Sequence, residues 1–455
     1  MPNETNLTFW LILWAVAVAS ILLVRLRTKA TACGLVFAYI FNLWAIHWVA
    51  ASLYIMPWYS GDWLAIWYRG FHSGWVEDGF KLSTYGIVAF AVGVLFLAPH
   101  WLKTLSAIKQ EPFIRVPDPR LPRAYIVTGL LFFFFLPPGI RKIPTISTIV
   151  SSGLNLAAIG FALAAWKSWQ DKKFRKFYRI IITGIVSLPV LTLVTQGFVS
   201  FGAAAVLGIL AFVASFFRPL WKLIMMTLLV GYLGLSIYVT YMRDREPIRE
   251  SVWGGEEIAK RVSLVYQTFS NFEWFSLSNE AHLRRVDQRL NQNLLVGAAM
   301  ENIPSNQDYV HGETFWTAII VLIPRPLWPD KPGFLGGSNL ASRLTGLNFL
   351  EETTIGIGEV MEFYANFGIL GVVVGFLCVG VVVALFDSMA RKHLLRGDWQ
   401  GFTLWFLPGL SLVQVHDSLV AVIGGAVAGI VMAIFINQML GRFRGRKLFL
   451  WKRPG

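Results

Sequence analysis

The stretch 322–334, LIPRPLWPDKPGF, sets two cations, Arg325 and Lys331, in a frame of prolines. Each proline biases the residue before it toward extended backbone, so Ile323, Arg325, Trp328 and Lys331 all lie on a stiff strap. A pre-set cation loses less entropy when it engages an anion, and a guanidinium fork matches phosphate oxygens. Trp328 suits a headgroup layer or the face of a sugar ring. An interfacial belt anchored to lipid phosphates would use the same residues. Upstream, YVHGETFW places His311 and Glu313 before the short apolar run 315–323. If that run dips and returns, the two meet the strap, and either can take a proton from an attacking hydroxyl. Arg284, Arg285 and Arg289 form a further cationic group, with Arg285 and Arg289 four residues apart on one helical face. A solvated basic face explains that group equally.

The elements that must position these residues are built for a bilayer. The chain has 455 residues, is 55% hydrophobic and has a mean hydropathy of +0.57. Apolar runs of about 18 residues or more recur, each long enough to span. The pattern predicts an all-α polytopic membrane protein with about eleven transmembrane helices, at 7–24, 33–56, 84–101, 124–140, 145–166, 179–196, 199–217, 220–240, 362–386, 400–416 and 418–440. The first is expected to be a retained span rather than a cleaved signal peptide. The net charge of +14 does not point to nucleic acid, because Lys and Arg fall in short clusters between apolar runs. Those clusters, such as 25–29 and 167–179, set the N-terminus outside and the C-terminus inside. Residues 1–240 then hold eight spans, 241–361 form one large outer segment, 362–440 hold three spans, and 441–455 are a basic inner tail. Cys33 and Cys378 both sit in apolar runs, so neither a disulfide nor a cysteine metal site is expected.

The outer segment has helical spacing of its own. Ile258, Val262, Val265, Phe269 and Phe272 predict one amphipathic helix, and Leu283, Val286, Leu290 and Leu294 a second, capped by Ser278. The run 315–323 is too short to span and predicts a re-entrant half-helix. Glu359 and Glu362 fall at the outer start of the ninth span, where carboxylates are costly and often functional. His416 and Asp417 mark an outer turn that can hold acceptor hydroxyls, and His47 reads as a satisfied buried histidine. Trp58, Trp63, Trp67 and Trp75 read as a membrane belt. No Asp-x-Asp pair in an outer loop, HExxH, CxxC or P-loop appears, and no metal or cofactor is expected.

The string IPRPLWPDKP, together with GEVMEFYANFGILG at 358–371, resembles O-antigen polymerase (Wzy-type) and related oligosaccharide repeat-unit polymerases. Arg325 with Gly336, and Arg243 with Gly254, also fit the Arg-x10-Gly loop pattern of that family, a weak signal by itself. The resemblance implies a metal-independent glycosyltransferase of the inner membrane with its site facing the periplasm. It would transfer a growing glycan from undecaprenyl diphosphate to a lipid-linked repeat unit, for O-antigen, capsule or exopolysaccharide. Arg325, His311 and Glu313 would be catalytic. Lys331, Arg284, Arg285, Arg289, Trp328, Glu362 and His416 would bind substrate. A chain-length regulator and a flippase are the implied partners. An O-antigen ligase-type transferase and a lipid-linked glycan flippase are the competing readings.

Overall fold

In a bilayer every backbone amide must be satisfied inside the protein, which leaves helices for these apolar runs. The computed structural model describes residues 4–27, 32–106, 116–135, 144–216, 220–323, 327–328, 330–331, 337–350 and 355–442. The helices are α1 (Glu4–Arg27), α2 (Leu35–Leu53), α3 (Gly74–Lys103), α4 (Leu121–Phe135), α5 (Pro144–Gln170), α6 (Phe174–Gln196), α7 (Ser200–Phe216), α8 (Leu220–Arg243) and α9 (Arg245–Trp253). Then come α10 (Ile258–Ser270), α11 (Glu280–Leu290), α12 (Gln292–Asn302), α13 (Glu313–Val321), α14 (Gly337–Thr345), α15 (Glu359–Leu395), α16 (Trp399–Leu412) and α17 (Leu419–Arg442).

Seven of the described helices are long and apolar enough to cross a membrane, namely α1, α2, α3, α6, α8, α15 and α17. That overturns the expected eleven. The four lost spans fall on α4, α5, α7 and α16. Three of these have 15, 17 and 14 described residues, which at 1.5 Å per residue reach about 21–26 Å, against a hydrocarbon layer of about 30 Å. The fourth, α5, has 27 residues and carries Asn155, Lys167 and Ser168 among its apolar ones. The expected span 400–416 runs past the end of α16 at Leu412.

The spine of the bundle is α2. Its polar groups follow one face and each meets a different element. The Leu35 amide donates to Asp387 Oδ1 on α15 (3.1 Å), and the Tyr39 hydroxyl donates to Glu359 Oε2 (2.5 Å). Asn42 Nδ2 donates to the Val413 carbonyl (2.6 Å) at the end of α16. His47 and Asn293 of α12 bond reciprocally, side chain to side chain at 2.7 Å and Asn293 Nδ2 to the His47 carbonyl at 2.8 Å. Just past the helix, the Tyr54 hydroxyl donates to Asp287 Oδ2 of α11 (2.9 Å). A π-helical turn over Trp44–Trp48 interrupts α2. The extra residue it inserts puts His47, rather than Ile46, in line with Asn42.

The sequence reading treats 292–302 as part of an outer loop. The structure instead packs α12 into the bundle, with Asn293, Leu294, Val296, Ala298 and Ala299 buried. Two glycines permit it. A Cβ on Gly297 would stand 2.0 Å from the Trp75 carbonyl oxygen, and one on Gly79 2.1 Å from that of Asn293, so α12 and α3 touch backbone to backbone. The cap of α11 is Asn279, whose Oδ1 accepts from Ala281 and His282 amides, not Ser278. Leu283 and Val286 face the core as expected, but Leu294 belongs to α12.

The other end of the bundle is closed by a buried ion pair. Leu7, Leu11, Trp14, Ala17 and Ile21 give α1 one buried stripe, and Arg25 ends that stripe. Its Nη1 donates to Asp387 Oδ2 at 2.7 Å, while Asp387 Oδ1 accepts from the Cys33 and Leu35 amides. Removing one partner strands the other charge, so Arg25→Ala should cost about 3–5 kcal/mol. Thermal unfolding in detergent should show a clear drop for Arg25→Ala and a smaller one for Arg25→Lys. An unchanged midpoint would mean that α1 is held by its apolar stripe alone.

Candidate functional site

Helix α11 of the segment 241–361 lies at the Tyr54 end of the bundle, and a buried carboxylate sets its position. Asp287 is 1% exposed. Its Oδ2 accepts from the Tyr54 and Tyr59 hydroxyls (2.9 and 2.5 Å) and its Oδ1 from Asn291 Nδ2 (2.6 Å). Burial raises its proton affinity and outweighs those three donors. Trp63 Nε1 donates to the Tyr59 hydroxyl (3.1 Å), so the loop between α2 and α3 is fastened to α11.

On α11 the three arginines take separate roles. Arg284 pairs with Glu280 and lies over the Trp63 ring. Arg285 donates to Glu273 Oε2 (3.0 Å) and the Val239 carbonyl (3.2 Å). Glu273 also accepts from Arg243 (2.8 Å) and meets His282 (3.1 Å). Burial would push this carboxyl up, but the bonds from Arg243, His282 and Arg285 hold it below the usual range. Sharing a helical face therefore does not join Arg285 and Arg289 on one ligand. Arg289, exposed, turns toward Arg245 and Arg249 of α9. Among the described residues no carboxylate forms a salt bridge with these three. Burial lowers the proton affinity of Arg245, and the charges of Arg289 and Arg249 lower it further. Arg249 is lowered as well, by burial first. Its guanidinium lies over Phe198 (4.3 Å) and Trp253 (5.5 Å), and its Nε is buried without a partner. Arg245 and Arg249 are four residues apart in sequence, a signal as legible as the one on α11.

The proline strap is described only in part, and Arg325 and Gly336 lie outside the described residues. Lys331 is 8% exposed and its Nζ donates to the Val321 and Ile323 carbonyls (3.1 and 2.9 Å), where it closes the end of α13. Trp328 is 37% exposed. Glu313 is gripped by both Nη atoms of Arg343 (2.7 and 2.6 Å), and these bonds hold its carboxyl below the usual range. A carboxylate so engaged is a poor base. His311 is exposed, edge-on to Tyr309, and has left-handed backbone at φ +46. The Gly312 amide beside it donates to Asn366 Oδ1 (2.8 Å).

Deeper in the bundle lies a polar layer that hydropathy does not reveal. The helix α15 is broken at Phe367 and Gly368. At φ 64 and ψ −151, Gly368 has a backbone conformation that essentially only glycine adopts. The short half before the break carries Glu359, Glu362 and Asn366, all buried. Sequence alone sets the two acids at the outer boundary. Yet Tyr39, one turn from the Asp387 end of α2, reaches Glu359, and that puts this acid well inside. Glu362 Oε2 accepts from the Leu419 amide (2.7 Å), and the Glu359 amide donates to the Val415 carbonyl (3.1 Å). His416 and Asp417, in the turn between α16 and α17, lie 3.6 Å apart and are 41% and 43% exposed.

The arrangement is that of a membrane-associated, mostly helical protein with a cationic cluster at one end and buried acids within. The chain belongs to the family described as Domain of unknown function (DUF8712), whose profile matches residues 82–407. No protein of curated function and no solved structure matches it.

Asp287 offers a direct check of the scaffold. Its folded proton affinity lies above the unfolded one, so the stabilisation it gives is complete at low pH and is lost as pH rises through the folded value. In Asp287→Asn, the Asn291 carbonyl oxygen, now buried without a partner, gains an amide donor. The midpoint of Asp287→Asn minus that of wild type should be near zero at about pH 4 and grow more positive toward about pH 7. A difference that does not change with pH would mean that Asp287 stays ionised throughout.

Proposed function

We propose that the protein is a membrane glycosyltransferase that extends a polysaccharide from lipid-diphosphate-linked units at the outer face of the inner membrane. The observation that carries this reading is the grouping of Arg245, Arg249 and Arg289, none of them in a salt bridge among the described residues, around Tyr238 of α8, the helix that also lines an open apolar groove. The groove, of about 600 Å³, is lined by Trp44, Leu228, Tyr232, Leu235 and Phe275, with Ser276 and Ser278 at its rim. Leu228, Leu235 and Tyr238 follow one face of α8, and Tyr238 feels the charges of both Arg289 and Arg245. A lipid tail along this face would bring an anionic head to the arginines.

The chemistry then needs little else from the protein. Departure of a lipid diphosphate is eased by positive charge fixed where negative charge develops. The acceptor hydroxyl needs a proton acceptor, and of the two residues suggested by sequence, His311 is the one left open by its surroundings. The resemblance of IPRPLWPDKP and GEVMEFYANFG to repeat-unit polymerases supports the same reaction, with Arg325 as a further cation. A second reading, transport of a lipid-linked glycan, is favoured by Glu359 and Glu362 inside the bundle, since charged groups at membrane depth mark pathways.

The test is polymerisation by purified protein given lipid-diphosphate-linked repeat units, with EDTA and no nucleotide sugar. Wild type should give a ladder of glycans. Arg289→Ala or Arg245→Ala should slow it about 100-fold or more, and Arg284→Ala, whose partner is Glu280, should leave it nearly intact. A full ladder from both Arg289→Ala and Arg245→Ala would remove the diphosphate from this cluster and turn attention to Arg325. Translocation of the units in vesicles without any ladder would establish the transport reading instead.

A further inference from the structure

Glu359 and Glu362 bring charge into the bundle that nothing there balances. They are 2% and 0% exposed and stand about one turn apart on the short half of α15. Among the described residues no Lys, Arg or His forms a salt bridge with either. The charges nearby share their sign, for both Glu362 and Asp417 act on Glu359. The other elements packed here offer neutral groups: the Tyr39 hydroxyl from α2, the Thr314 hydroxyl from α13 and the Leu419 amide from α17. His416 bears on Asp417 at the half-exposed turn. A helix N-terminus supplies roughly half a positive charge, which leaves most of two buried carboxylates uncompensated.

Two bare oxygens accompany this excess. Glu362 Oε1 and Gln292 Oε1 are both buried with no hydrogen-bond partner, and Gln292 is 8% exposed. Both side chains hold the same two chain segments. Gln292 Nε2 donates to the Gly356 and His416 carbonyls (3.3 and 3.4 Å). Glu362 bonds to the Leu419 amide through Oε2 and to the Gly358 carbonyl through its own amide (2.7 and 3.2 Å). Gln292 Oε1 packs on Gly358 so closely that a Cβ there would stand 2.0 Å away. Bare acceptor oxygens beside uncompensated negative charge are the donor set of a small cation. We propose that Glu362, with Glu359 and Gln292 beside it, holds one small monovalent cation, a proton or Na+, inside the bundle. The proposal does not depend on the glycosyltransferase reading.

Thermal unfolding of the full-length protein in detergent tests it, over about pH 5–9 in choline chloride and with NaCl or KCl titrated in. Wild type should respond and Glu362→Gln, neutral and of the same shape, should not. A saturable rise with NaCl at alkaline pH, larger than with KCl, identifies Na+. A rise of wild type relative to Glu362→Gln on acidification, with NaCl no better than choline chloride, identifies a proton. Wild type and Glu362→Gln running parallel across the whole range, with NaCl inert, would overturn the proposal. Should Glu362→Gln fail to fold, wild type and Asp287→Asn decide. A sodium response, or an infrared carboxylic-acid band at neutral pH that persists in Asp287→Asn, upholds the site, and the lack of both rejects it.

Discussion

Every polar group that α2 carries into the bundle must be met there, because no water is available to meet it. This is the constraint from which the rest of the arrangement follows. An unsatisfied amide or hydroxyl at membrane depth costs several kcal/mol, so the one polar face of α2 dictates which elements stand around it. Leu35 and Tyr39 fix the two ends of α15, through Asp387 and Glu359. Asn42 fixes the end of α16, His47 fixes α12 and Tyr54 fixes α11. The π-turn at Trp44–Trp48 is what keeps these groups on one line. Without it His47 would rotate off the face, and Asn293, fully buried on α12, would lose its partner.

The break in α15 has the same origin. A continuous helix would set Glu359 and Asp387, 28 residues apart, about 42 Å from each other, too far for both to meet Leu35 and Tyr39 one turn apart on α2. Gly368 turns the chain, and the groups freed there are taken up by the segment before α13. The Ala365 carbonyl accepts from the Val310 amide (2.9 Å), and Asn366 bonds to Gly312, Thr314 and its own helix. Irregular backbone within a bundle is tolerated where protein covers it. Here the stacked rings of Phe315 on Phe363 and Phe367 provide that cover.

Sequence reading carried the class of protein and most of its long helices, since an apolar run such as that of α1 or α17 has few alternatives. It failed where hydropathy and geometry diverge. The apolar stretch 400–416 reads as a span, yet α16 ends at Leu412 because the following turn must reach Asn42, Gln292 and Glu359. Residues 292–302 look like loop because Gln292, Asn293 and Asn302 break the apolar pattern, and these are the groups that fasten α12 within the bundle. At the candidate site, residue type was legible and engagement was not. Glu313, Arg285 and Lys331 have suitable chemistry, but each is held by a partner distant in sequence or by a helix end. Arg245 and Arg249 share a helical spacing with Arg285 and Arg289, and what sets them apart is that they form no salt bridge among the described residues.

That absence is informative because the neighbouring cations are so well paired. Within the outer segment Arg243, Arg284, Arg285 and Arg343 each have a carboxylate within 3.0 Å. A fold that supplies acids so readily leaves Arg245, Arg249 and Arg289 without a salt bridge among the described residues, and leaves Glu359 and Glu362 to repel each other deeper in. Bringing the two groups together would cancel both costs, yet they are kept at different levels of the same bundle. Like charges held apart from their natural counterions favour ligands that bring the opposite sign. The outer cluster calls for an anion and the inner pair for a cation. A lipid diphosphate and a small monovalent ion would each fill one vacancy in charge, and binding of the first would change the field felt by the second across the length of α2.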